Sequence, residues 1–292
     1  MRRRTGTSRI AGILSPRTRT RRRRNPLRRR AHRWLDRARR ARRRVLSAPP
    51  SVRIVVVMAL VVAAVSAMNL VYQVVRKPTE LFFPVSSAFS KMPAETWRQY
   101  GALFREYSTD AVAPELLAAL AQVESDGNPV ARTYWSWRLT WNPFAIYQPA
   151  SSAVGMYQLT DAAFADAQHY CIRQHTVVEE GCRFSGFYSR IFPSHAIELT
   201  AVLLDRNVTA ILAGKRDGRA SPQQVQDLAA VIHLCGSGPA RAFAHRGFRP
   251  MAGERCGDQV VAKYLADVNA MKRRFLRLAA IQGSPAQEVT RK

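Results

Sequence analysis

"LLAALAQVESDGNP", Leu116 to Pro129, is the stretch on which the fold turns. Pro114 suits a first helical turn, Glu115 favours the positive end of a helix dipole, and Gly127 followed by Asn128-Pro129 supplies a stop. Leu117, Leu120, Ala121 and Glu124 fall at helical spacing, one face of an amphipathic helix. Glu124 closes that apolar stripe just before the chain turns, so it is expected to be at least half buried. Burial and the negative end of the helix dipole both disfavour an ionised carboxylate, which leaves a proton that can be donated. The competing reading is a glutamate at a frayed helix end, facing water or paired with an arginine.

The surroundings of that helix are set by charge and hydropathy. The chain has 292 residues, enough for one or two domains with a sizeable core, and carries 46 basic against 20 acidic residues for a net charge of +26. Twenty arginines and one acid, Asp36, lie in residues 1–50, which gives +19 there and leaves +7 for the other 242 residues. The basicity therefore belongs to a tail. Residues 54–75, "IVVVMALVVAAVSAMNLVYQVV", are 22 in a row without a charge. At about 1.5 Å per residue they reach roughly 33 Å, enough for a hydrocarbon core of about 30 Å.

A single transmembrane helix over 51–76 is the preferred reading, against a buried helix of a soluble core. The arginines before it put residues 1–50 in the cytoplasm and the rest outside, by the positive-inside rule. The apolar length and the lack of a small-x-small cleavage site favour a signal anchor over a cleaved signal peptide. The tail is expected to be disordered, to set topology and to touch anionic lipid, with nucleic acid the disfavoured partner.

Cys171, Cys182, Cys235 and Cys256 all fall on the outer side, and their even number there favours two disulfides. Nearest-neighbour pairing is preferred among three connectivities. A zinc site is the rival, but no C-x-x-C pair is present. No metal and no cofactor are expected.

Residues 77–94 are proline- and serine-rich and suggest a stalk; a packed domain is expected over 95–282, and 283–292 suggest a disordered end. Helical patterns recur at 95–108, from Asp161, at 193–212, from Ser221-Pro222 to Gly236, and from Gly257 onward. Residues 130–150 are aromatic-dense and proline-interrupted, which predicts a loop, and no segment gives a clear strand or hairpin signal. The expected fold class is all-α.

Three stretches in order carry a resemblance: "AQVESDGNP" (121–129), "AVGMYQLT" (153–160) and "VIHLCGSGPA" (231–240). They resemble the signature segments of soluble lytic transglycosylase domains, relatives of goose-type lysozymes, over about residues 111–275. The resemblance implies a lysozyme-like helical domain. It implies cleavage of peptidoglycan glycan strands between N-acetylmuramic acid and N-acetylglucosamine, with a 1,6-anhydromuramic end as product. It also implies the cytoplasmic membrane of a bacterium as location, with the domain on the outer side.

Glu124 matches the family's single catalytic acid, which protonates the glycosidic oxygen and then serves as base for the muramyl 6-hydroxyl. A two-carboxylate glycosidase would need a partner about 5–9.5 Å away; Asp126, Asp161 and Glu198 are the choices, and none has a sequence reason to face Glu124. Ser125 matches the serine after the acid, a hydroxyl able to orient a carboxylate or simply a helix-end residue. Gln158 matches the amide that pairs with an N-acetyl group, and Met156 and Tyr157 are expected to line the cleft. In the third segment His233 and Leu234 stand where the family has Tyr-Asn, so His233 either replaces those polar contacts or packs in the core. That departure motivates the alternative function, a non-catalytic peptidoglycan-binding or scaffold protein. Tyr134, Trp135 and Trp141 could serve as platforms for sugar rings or pack in the core.

Overall fold

The computed structural model describes residues 39–283 apart from 41–42, 77–85, 143, 183–186 and 215–219. Most of the arginine tail, much of the stalk and the last nine residues therefore lie outside the described residues. The chain divides into two compact units, residues 1–66 and 67–292.

In the first unit most of α1 (Pro50–Arg76) is described. The span Pro50–Val75 is long and apolar enough to cross a membrane, with a mean hydropathy of 2.7, and only 6% of it is buried. Ile54, Val55, Leu60 and Val62 all point outward. A core helix of a soluble protein would hide most of these side chains, and this helix exposes them.

The second unit is a helical domain with a single core. The helix α2 (Pro93–Glu106) starts with proline in its first turn and with Glu95 accepting from the Met92 N–H at 3.2 Å. It buries Trp97, Tyr100 and Phe104. Next comes α3 (Pro114–Ser125), the helix of the opening stretch. Leu116 to Gln122 are buried without a break, so the middle of α3 is enclosed on all sides rather than amphipathic. The small alanines at 118, 119 and 121 let its neighbours approach closely.

Around α3 stand α2, α5 (Pro193–Ala213) and α8 (Val261–Gly283), with α8 lying along it. The shorter α4 (Asp161–Ala167), α6 (Pro222–Cys235) and α7 (Ser237–His245) complete the helices. Ser221 and Gln224 close the start of α6 as a capping box. The all-α class is thus the one found.

Three short antiparallel ribbons interrupt the helices, where no strand is expected from the sequence. Strands β1 (Trp135–Trp137) and β2 (Tyr147–Pro149) pair with Trp137 opposite Tyr147, inside the segment read as a loop. The second ribbon, β3 (Cys171–Arg173) with β4 (Thr176–Val178), turns on Gln174 and His175, both at positive φ without a glycine to signal it. The third, β5 (Arg255–Cys256) with β6 (Gln259–Val260), turns through Gly257-Asp258 and leads directly into α8. Disulfides join Cys171 to Cys182 and Cys235 to Cys256, the preferred pairing.

Candidate active site

Glu124 lies in the last turn of α3, next to a left-handed turn at Asp126 and Gly127. Gly127 has a φ of 65°, and a Cβ there would run into the Thr96 side chain, so glycine is required to end the helix at this point. The Tyr264 hydroxyl donates to Glu124 Oε1 at 2.6 Å, and His233 Nε2 stands 3.6 Å from the same oxygen. The His233 side chain is 6% exposed and that of Glu124 20%, so the carboxyl reaches solvent past walls that do not. Tyr264 comes from the first turn of α8 and is buried. His233 comes from the last turn of α6.

The two neighbours are tuned by burial. Burial lowers the His233 pKa, and the Glu124 charge and a hydrogen bond to the Tyr157 backbone only partly oppose this. The imidazole is therefore neutral at neutral pH. Burial, together with the Glu124 charge and hydrogen bond, holds the Tyr264 hydroxyl well above its usual range, so it stays a proton-bearing donor. The Cys235–Cys256 disulfide ties the end of α6 to the ribbon that starts α8. It thereby links the elements that carry both side chains.

The second signature segment forms a tight loop beside α3. Gly155 donates its N–H to the Ala131 carbonyl at 2.8 Å, and Val154 bridges to Leu159. With a φ of 81° and the Arg190 carbonyl against its α-carbon, Gly155 has no room for a side chain. The Arg190 guanidinium clamps the loop, donating to the Ser152 and Leu159 carbonyls at 3.0 and 2.8 Å and pairing with Asp161 at 2.7 Å.

The sequence-derived site residues divide on this geometry. His233 stands against Glu124. The Ser125 hydroxyl donates to the Met156 and Ala121 carbonyls at 2.7 and 3.1 Å, so it fastens the loop to α3. The Gln158 backbone is left-handed at φ 50°, and its side-chain amide donates to the Gly155 carbonyl at 2.9 Å. Met156 and Tyr157, expected to line the cleft, are fully buried in the core instead, because the strained glycine turn directs both inward. Tyr134 and Trp141 are exposed, whereas Trp135 is partly buried and packs tilted against Tyr147.

The three alternative carboxylates are engaged elsewhere. Asp161 is held by Arg190; Glu198 is buried and accepts from the Ile172 N–H and the Tyr188 hydroxyl; Asp126 accepts a long 3.5 Å contact from Gln122. Among the described residues no group of His, Cys, Asp and Glu could hold a metal ion. Sequence reasoning missed Tyr264 and Arg190. A tyrosine in an apolar helix pattern reads as core, and nothing in "YSRIFP" marks Arg190 as the clamp of a loop some thirty residues earlier.

A helical, lysozyme-like domain with one half-buried glutamate at a helix end is the class this arrangement defines. Residues 102–213 match the sequence model of the Transglycosylase SLT domain family. Over those residues the chain is similar to transglycosylase SLT domains. The matched region contains Glu124 and the Gly155 loop but ends before His233 and Tyr264. No curated protein matches the chain.

Proposed function

We propose that the protein is a membrane-anchored lytic transglycosylase that cleaves peptidoglycan strands between N-acetylmuramic acid and N-acetylglucosamine. The observation that carries this reading is Glu124, a lone carboxyl at the helix end, 20% exposed and hydrogen-bonded to Tyr264. Tyr264 holds Oε1, which leaves Oε2 for the substrate in this reading. The protonated carboxyl gives its proton to the glycosidic oxygen as the bond to the muramyl C1 breaks. The resulting carboxylate takes the proton of the muramyl 6-hydroxyl as that oxygen closes on C1, which restores the acid and yields the 1,6-anhydro end. One residue serves both steps because losing the proton creates the base.

Tyr264 stabilises the carboxylate between the two steps, since a hydrogen bond to a charged acceptor is stronger than to a neutral one. The commitment of Asp126, Asp161 and Glu198 to other partners favours ring closure over hydrolysis through a second carboxylate. Gln158 and Ser125 support the loop beside the acid, with Gln158 facing the N-acetyl groups of the glycan. The apolar α1 anchors the chain in the cytoplasmic membrane with residues 1–50 inside, and the two disulfides suit an exported domain.

The full-length protein in detergent, incubated with cell-wall sacculi, should release anhydromuropeptides, and Glu124→Gln should release none while melting like the wild type. Binding to sacculi without any such product would instead favour a wall-binding scaffold, the reading suggested by His233-Leu234 in the third signature segment.

A further inference from the structure

Trp137 at the end of β1, and Leu139 and Trp141 in the connection to β2, carry apolar side chains far more exposed than folding alone explains. Leu139 is 109% exposed, Trp141 104% and Trp137 74%. Trp137 and the partly buried Trp135 flank Tyr147, with ring centroids 4.5 and 5.0 Å from it, so the ribbon is stiffened rather than loose. Large apolar side chains presented together on a firm scaffold mark a contact surface.

The same ribbon is packed on the outer end of α1. Asn69 and Gln73 lie one turn apart, and both are buried. Their side-chain amides donate to the Tyr147 and Phe144 carbonyls, each at 2.7 Å, and the Tyr72 ring lies 5.0 Å from that of Phe144. Asn69 is six residues before the end of the apolar span at Val75, about 9 Å along a helix. The loop therefore sits at the depth of the last turns of the span.

Its backbone suits that depth. The N–H groups of Arg138 and Ala145 go to the Ile146 and Asn142 carbonyls at 2.8 and 2.9 Å. Those of Asn142 and Phe144 go to the Thr140 hydroxyl and the Asn142 side-chain oxygen at 3.3 and 3.0 Å. These bonds satisfy four of the loop's N–H groups within the loop, which lowers the cost of placing them near lipid. Trp and Tyr also favour the boundary between headgroups and acyl chains.

From these observations we infer that Trp137, Leu139 and Trp141 insert into the outer leaflet of the bilayer crossed by α1, a phospholipid contact that supplements the anchor. The inference rests on the anchor reading.

The test uses the full-length protein with Trp34→Phe, reconstituted in phosphatidylcholine–phosphatidylglycerol vesicles with or without acyl-chain bromination. Brominated lipid should quench tryptophan emission, and a Trp137→Ser/Trp141→Ser variant should lose most of that quenching. Leu139→Asp, which keeps every reporter, should weaken it. Flotation of the same vesicles reads the anchor separately. Protein that fails to float overturns the anchor and this inference together. Protein that floats, with emission indifferent to bromination, overturns the lipid contact alone. Emission that responds to added glycan strands and not to bromination makes the ribbon a sugar platform, and also overturns it.

Discussion

Replacing Tyr264 by phenylalanine removes one oxygen from a buried position and nothing else. The hydroxyl it removes donates to Glu124 Oε1 at 2.6 Å. Phenylalanine fills the same space, and α8 keeps its packing on α3. A hydrogen bond to a charged acceptor is worth about 1.5–3 kcal/mol. The bond matters most while Glu124 is a carboxylate, after it has protonated the glycosidic oxygen. With each 1.36 kcal/mol equal to tenfold in rate, the variant should lose about 10- to 150-fold in kcat. Because Tyr264 is only 3% exposed it cannot touch the glycan, so KM should hardly change. The assay is anhydromuropeptide release from sacculi over a range of substrate concentrations, with thermal unfolding measured in parallel. Wild-type kcat in Tyr264→Phe would refute the role given to the hydroxyl. A loss confined to KM, or one that merely tracks a drop in Tm, would refute it as well.

Other residues of the site make further predictions. His233 has a lowered pKa because it is buried, so below about 6.5 the unfolded chain binds a proton that the folded chain resists. Stability should therefore fall as pH drops from 6.5 towards the lowered folded value, and His233→Gln should flatten that part of a Tm-against-pH curve; parallel curves would refute the assignment. Gly155→Ala places a side chain at φ 81° against the Arg190 carbonyl, and should cost at least the 1–3 kcal/mol or so of such backbone strain, read by denaturant unfolding. Unchanged unfolding would show that the loop relaxes freely. A Cys235→Ser/Cys256→Ser pair opens a 21-residue loop and should lower stability by about 3 kcal/mol. It should also reduce glycan release by more than the fraction unfolded accounts for, because α6 and the start of α8 lose their link.

What the sequence made legible follows from the range of each interaction. The helices at 93–106, 193–213 and 222–235 carry their own signals, with proline in the first turn and an apolar stripe that continues for several turns. The paired cysteines lie close in sequence, so proximity along the chain pointed to proximity in space. The ribbons were missed because two of their turns lack an Asn-Gly or Asp-Gly pair: Gln174-His175 reach positive φ without glycine, and nine residues separate β1 from β2. Gly257-Asp258 was the one turn signal available, and it lay unread inside a helix pattern. Glu124 was legible because a carboxylate breaks an apolar stripe. Tyr264 does not break one, and a partner 140 residues away leaves no trace in local spacing.

The third signature segment is where position and chemistry separate. His233 is expected from the resemblance to stand where the family pattern has tyrosine, yet the hydroxyl on Glu124 comes from Tyr264, on a different helix. Two aromatic groups thus share the wall around one carboxyl. The imidazole, kept neutral by burial, encloses the acid without charging it, while the phenol supplies the hydrogen bond. The polar contact at Glu124 is thus supplied by Tyr264, from outside the third segment.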